Sequence, residues 1–230
     1  MGSALKLQAS RLARSFSGRP PEATDIRKYK KSLVEAGIPL GGPEAKFQLV
    51  GRKSLAAMID AGLLPTHRVL DVGAGSMRVG WWLLHYIEPS NYYAIEPLPE
   101  RIDTAARLLD VKINTYYNDD FVFPDVEVDF VIARSVWSHA SKSQIAQMIS
   151  EFARTSAPEA RFLASVRPAT TEEEDYTGEE WVGKGATSDE PGMVNHSLAW
   201  IEAECRKHDL EMKVNGELNR QTWVLIKSTR

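Results

Sequence analysis

The run Val69-Leu70-Asp71-Val72-Gly73-Ala74-Gly75-Ser76-Met77-Arg78-Val79-Gly80 holds the residues best suited to gripping a ligand with backbone. An apolar segment carries an acid, Asp71, and then Gly73 and Gly75 alternate through a turn. Glycine lets the chain approach a ligand closely and take φ values that a Cβ forbids. A helix opening near Val79 offers free N–H groups and a positive dipole end to an anion. Two more stations follow. Tyr92-Tyr93-Ala94-Ile95-Glu96-Pro97 reads as a strand ending in an acid, and a carboxylate there can accept charge-assisted bonds from both hydroxyls of a ribose. Asn118-Asp119-Asp120-Phe121 follows a third strand, with Asp119 and Asp120 both open as acceptors. Each acid alone also suits a helix cap or a turn. Three in order point to a nucleotide-like cofactor.

The elements that must position these residues alternate. Helices are predicted over Asp25–Ala36 and Phe47–Ala61 from their apolar spacing and the Gly37, Pro39–Pro43 and Gly62 signals that end them. Strand 69–72, helix 79–88, strand 92–96, helix 99–109, strand 112–117 and strand 129–133 come next. Helix 142–155, strand 161–166, helix 195–208 and strands 211–217 and 222–228 complete the chain. Strands alternating with helices imply a parallel sheet covered on both faces. The last two strands, joined at Asn219-Arg220, read as a hairpin.

A dinucleotide site wants a third glycine where Arg78 stands, and no Gly-Lys-Ser/Thr follows for a phosphate-binding loop. Asp71, Gly73 and Gly75 instead match the acidic-x-Gly-x-Gly motif of the class I S-adenosylmethionine-dependent methyltransferases, which the chain resembles over residues 45–228. Met77 departs from a further glycine common in that family. The resemblance implies a Rossmann-like α/β fold: a seven-stranded, mostly parallel sheet, helices on both faces, and a C-terminal antiparallel hairpin. It implies S-adenosyl-L-methionine as cofactor and S-adenosyl-L-homocysteine as product. Asp71, Gly73, Gly75, Ser76, Glu96, Pro97, Asp119, Asp120, Phe121, Arg134 and Ser135 are the expected cofactor-binding residues.

Ligands of open α/β sheets bind beyond the carboxyl ends of the strands. The fourth such loop is Arg134-Ser135-Val136-Trp137-Ser138-His139-Ala140-Ser141. It lacks the Pro-Pro motif of enzymes acting on base or glutamine nitrogens, and resembles the loop of small-molecule methyltransferases. His139 is the leading base candidate, because an imidazole is largely neutral at pH 7. His196 is the second, although it also suits a helix start. The fifth loop, 168–194, carries Glu172-Glu173-Glu174-Asp175-Tyr176 and Trp181, with Gly183, Gly185, Pro191 and Gly192. Its length suggests a lid, with Trp137, Tyr176 and Trp181 against substrate. Its acids favour a cationic or polyhydroxylated acceptor, or a metal. The expected reaction is methyl transfer by direct displacement to a small-molecule hydroxyl. A small-molecule N-methyltransferase and a non-catalytic cofactor-binding scaffold are the alternatives.

At 230 residues and 43% hydrophobic, the chain can bury one good core, and a net charge of −3 supplies no basic field for nucleic acid. Its one cysteine, Cys205, permits no internal disulfide, which suits the cytoplasm. No apolar stretch approaches the ~20 residues that span a bilayer. Residues 1–24 are expected to form a basic arm. Lys6, Arg11, Arg14 and Arg19 stand there beside Leu5, Leu12 and Phe16, so residues 5–16 could touch a membrane surface. Residues 25–230 are expected to form a single domain, with N-terminal helices over 25–62.

Overall fold

The computed structural model describes residues 25–183, 192–218 and 220–229. The basic arm, Gly185 and Pro191 of the lid, and Asn219 of the hairpin turn lie outside them. Helices α1 (Asp25–Glu35) and α2 (Phe47–Asp60) precede strand β1 (Val69–Val72). A single helical turn, α3 (Gly80–Leu83), leads to β2 (Tyr92–Ile95), α4 (Pro99–Leu109), β3 (Asn114–Tyr116) and β4 (Val128–Ala133). Then come α5 (Lys142–Thr155), β5 (Ser156–Val166), α6 (Leu198–Arg206), β6 (Leu210–Leu218) and β7 (Gln221–Ser228).

The strands form one seven-stranded sheet in the order β3-β2-β1-β4-β5-β7-β6. β7 runs antiparallel to both β5 and β6, and the other pairs are parallel. Val72 stands opposite both Ile95 and Ala133. The carboxyl ends of β2, β1 and β4 are therefore level, and the chain leaves β1 for opposite sides of the sheet. That crevice is where an open α/β sheet takes its ligand.

Both faces of the sheet are covered, so β1 is buried along its whole length. On one face, α1, α2 and α4 pack Leu33, Phe47, Met58 and Ile102 onto Val69, Phe130 and Leu163. On the other, α5 and α6 pack Ile145, Ile149, Phe152 and Ile201 onto Val131, Phe162 and Ile226. Ser141 caps α5 reciprocally with Gln144, a capping box that fixes where the β4 loop ends.

Three elements differ from the sequence reading. The helix expected over 79–88 is regular for one turn only. Its Gly80 presses against the Tyr92 ring, and the bonds of His85 and Tyr86 reach back three residues to Trp82 and Leu83. Trp81 and Trp82 meet edge to face at 4.8 Å between centroids, and packing both indoles takes precedence over helical periodicity. The one-turn helix therefore supplies no sustained dipole, and the turn itself must do the binding. The helix expected from 195 starts at Leu198, because Asn195 and His196 make bridges to Asp175 and Pro168, and Ser197 becomes its cap. β5 begins at Ser156 rather than 161, with Ser156 paired to Val128.

Candidate active site

The turn after β1 is pinned before any ligand arrives. Gly73 N and Ala74 N both donate to Ile95 O, at 2.9 and 3.1 Å. Gly73 sits at φ +70°, and a Cβ there would lie 2.7 Å from Val136 Cγ2. The glycine leaves the space between the β1 and β4 loops open. Met77, in the slot where the resembled family often has glycine, takes φ +52° and is fully buried. A side chain held in the left-handed region costs about 1–3 kcal/mol. Burial of the Met77 side chain in the core offsets that cost.

Glu96 is 3% exposed. Its Oε2 accepts from Gly75 N at 2.9 Å and its Oε1 from Leu98 N at 3.3 Å, while the Arg101 guanidinium stands at 3.7 Å. Two backbone donors thus orient the carboxylate and leave about two of its four lone-pair sites for a ligand. Burial raises its pKa, against the pull of Arg101 and the two amides.

Asp71, 2% exposed, accepts from Tyr92 Oη at 2.7 Å. Burial pushes its pKa up to about 7, and Tyr92 and the nearby Arg78 only partly oppose this. Tyr29 from α1 donates to Ser76 O at 2.8 Å, tying the N-terminal helices to the turn. The loop after β3 sends the two acids left open by the sequence in different directions. Asp119 and Phe121 line the cavity. Asp120 folds back to accept from Val122 N at 3.1 Å and lies outside the lining.

After β4, Arg134, Ser135, Val136 and His139 line the cavity. Trp137 turns the other way into the core, edge-on to Phe162 at 5.5 Å, so it is not a substrate contact. A polar cluster supports this loop. Ser135 N donates to Ser165 Oγ at 2.8 Å. Gln221, at the start of β7, accepts from Ser165 Oγ and Arg134 Nη1, both at 2.8 Å, and donates to Ser138 Oγ at 3.1 Å.

The lid is stitched to the same loop. Val182 N donates to His139 O at 2.8 Å, Val194 N donates to Ser138 O at 2.9 Å, and His139 Nδ1 lies 2.6 Å from Val182 O. Trp181 lines the cavity, stacked on His139 and Phe121 with centroids 5.4 and 6.2 Å away. The His139 ring thus sits among lid backbone, with its Nδ1 against the Val182 carbonyl. Burial lowers the His139 pKa, opposed by the carbonyls of Val182 and Gly192.

Other expected residues fall elsewhere. His196 is fully buried, its Nε2 is 3.0 Å from Ala140 O, and it lies outside the cavity lining; it ties the lid to the β4 loop. Tyr176 hydrogen-bonds Glu180 O at 2.9 Å and meets His196 edge-on, also outside the lining. Glu172, Glu173 and Glu174 are exposed, and Asp175 pairs with Lys142 at 2.7 Å. None of the described lid acids therefore lines the cavity. Among the described residues no three His, Cys, Asp or Glu gather as a metal-ligating group, and no helix is long and apolar enough to cross a membrane. Sequence reasoning missed Arg78, Arg101, Gln144, Met193 and the Pro39-Leu40-Gly41 segment, all of which line the cavity. Arg78 directly follows the glycine turn and was the one that could have been found.

Residues 69–159 match the family model described as a methyltransferase domain. Among solved structures, the chain is similar to the magnesium protoporphyrin IX methyltransferase of Synechocystis PCC 6803 with bound S-adenosylhomocysteine. The identity is 16%, the TM-score 0.59, and the match covers 90% of this chain and 96% of that one. DesVI of Streptomyces venezuelae matches at 14% identity and TM-score 0.60 over 80% and 92% of the two chains. DhpI in complex with S-adenosylhomocysteine matches at 16% identity and TM-score 0.59 over 93% and 100%. At these identities the likeness is one of fold.

Proposed function

We propose that the chain is a class I S-adenosylmethionine-dependent methyltransferase that methylates a hydroxyl of a small molecule, a reading supported by its fold and by the methyltransferase-domain match at residues 69–159. The observation that carries this reading is the meeting of three things in one cavity: the glycine turn, the half-satisfied Glu96 carboxylate, and His139 under Trp181. The residues fit S-adenosylmethionine. Gly73, Gly75 and Ser76 offer a surface free of side-chain bulk, the remaining lone pairs of Glu96 suit ribose hydroxyls, and Asp119 with Phe121 and Pro97 suits adenine. Bound there, the cofactor supplies an electrophilic sulfonium methyl for direct displacement.

The chain's own residues supply the rest. Arg134 and Ser135, braced by Gln221 and Ser165, set the floor beneath the acceptor. The neutral His139 imidazole takes the hydroxyl proton as attack proceeds, which contributes roughly 10²- to 10⁴-fold. Burial keeps that ring neutral at pH 7. Trp181 roofs the cavity and excludes water from the nucleophile. The buried, unpaired thiol of Cys205 accords with the cytoplasm as the place of action.

Calorimetric titration with S-adenosylmethionine tests the reading. Micromolar binding is expected, weakened about tenfold or more in Glu96→Ala, or ~1.4 kcal/mol. Failure of folded protein to bind overturns it. His139→Asn should lower kcat without changing cofactor affinity and should remove an acidic limb lying below pH 6.5. Unchanged turnover would remove His139 from the role of base.

A further inference from the structure

Two guanidinium groups, Arg78 and Arg134, face the cavity, and neither is in a salt bridge with a carboxylate among the described residues. Every hydrogen-bond partner of Arg134 is neutral: Ser135 Oγ and Gln221 Oε1, with the Trp223 ring 5.9 Å from the guanidinium carbon. Its Nε is buried and has no partner. Burial and the neighbouring Arg78 together bring the Arg134 pKa down to about 10, so the pair sits in a field short of negative charge. Asp71 is the acid that acts on Arg78, and its carboxyl is itself held up to about 7. The other cavity acids are engaged or remote: Glu96 is bound by two amides beside Arg101, and Asp119 stands on the loop after β3. Among the described residues no acid of the lid lines the cavity; Asp175 is taken by Lys142 and Glu174 by Thr170.

A planar guanidinium presents paired donors that match an oxyanion bidentately. The cofactor brings one carboxylate, whereas the cavity holds two such forks besides Arg101, which stands by Glu96. Arg78 lies beneath Gly41 and Gly42 and beside Asp71, on the side of the glycine turn. Arg134 lies on the β4 loop with His139, on which Trp181 stacks, and all three line the cavity.

We infer that the acceptor carries a carboxylate, held by Arg134 while its ring stacks beneath Trp181 and its hydroxyl faces His139. This deepens the reading given above and rests on it. It reverses the expectation of a cationic acceptor, because the acids behind that expectation, Glu172 to Asp175, do not line the cavity.

The test uses the full chain saturated with S-adenosylhomocysteine, titrated with 4-hydroxybenzoate and its uncharged counterpart 4-hydroxybenzamide. The expected result is a preference for the carboxylate of about tenfold or more, abolished in Arg134→Gln and partly kept in Arg134→Lys. Equal affinities, absence of carboxylate binding at millimolar concentration, or a preference that survives Arg134→Gln overturns the inference. A second arm separates the two sources of carboxylate. Binding of decarboxylated S-adenosylmethionine shows that each variant is folded. If Arg134→Gln weakens S-adenosylmethionine but not this analogue, Arg134 serves the cofactor and the inference fails. If wild-type protein binds neither cofactor form, it is the methyltransferase reading that falls.

Discussion

Asp71 is the residue where burial and chemistry conflict most directly. Its ordinary pKa of 3.8 rises to about 7 because the folded state removes it from water. Between those values the folded chain holds a proton that the unfolded chain has released. The contribution of Asp71 to stability is therefore fully present below about pH 4 and is lost as pH climbs toward 7. Asp71→Asn keeps an acceptor for Tyr92 and has no charge to bury. Its melting temperature should gain on that of the wild type as pH rises through this window, as thermal denaturation at stepped pH would read. Parallel curves would mean that Arg78 compensates the ionised carboxylate fully. Asp71 was legible as a site residue from its place before Gly73. Its altered acidity was not, because that depends on burial in the folded chain and on Tyr92, Glu96 and Arg78 around it.

At the scale of elements, the site depends on how closely α2 approaches the turn after β1. Gly51 makes this possible: a Cβ there would overlap the Arg78 carbonyl and the Trp82 indole. Gly51→Ala should destabilise the protein by about 1–3 kcal/mol, since overpacking displaces backbone that cannot yield. It should also weaken cofactor binding, because Arg78 and the turn move together. Chemical denaturation and titration of the same variant would check both effects; unaltered stability would mean that α2 slides without cost. Gly51 sits inside a helical pattern and gave no local sign of this role. The same contacts limit α3 to one turn, which periodicity extended to residue 88. By contrast α4 and α5 keep the limits read from sequence, because each presents one apolar stripe to the sheet and carries its own start signal.

For the whole molecule, the cavity is shared by segments remote in sequence: residues 39–41, the loops after β1, β2, β3 and β4, and the lid. Ligand binding should therefore stabilise the fold as a unit. S-adenosylhomocysteine at 100 times its Kd should add about 2.7 kcal/mol to the unfolding free energy. Hydrogen exchange should slow at Val182 and Val194, whose amides bond the His139 and Ser138 carbonyls beneath Trp181. Slowing confined to the turn after β1 would mean that the lid does not respond to the cofactor.

The sequence by itself determined the sheet, its closing antiparallel hairpin and the glycine turn and strand-end acids that line its cavity. Strand periodicity, glycine turns and acids at strand ends are local properties, and the crossover rule for parallel strands carries them into one topology. Only the tertiary structure decided which side chains meet. It put Asp119 rather than Asp120 on the cavity, buried Trp137 and His196, kept the described lid acids out of the lining, and brought Arg78 and Arg134 to one cavity. The direction of a loop side chain is set by what packs behind it. Here the packing comes from β7, α2 and the lid, which sequence spacing does not place beside the β4 loop.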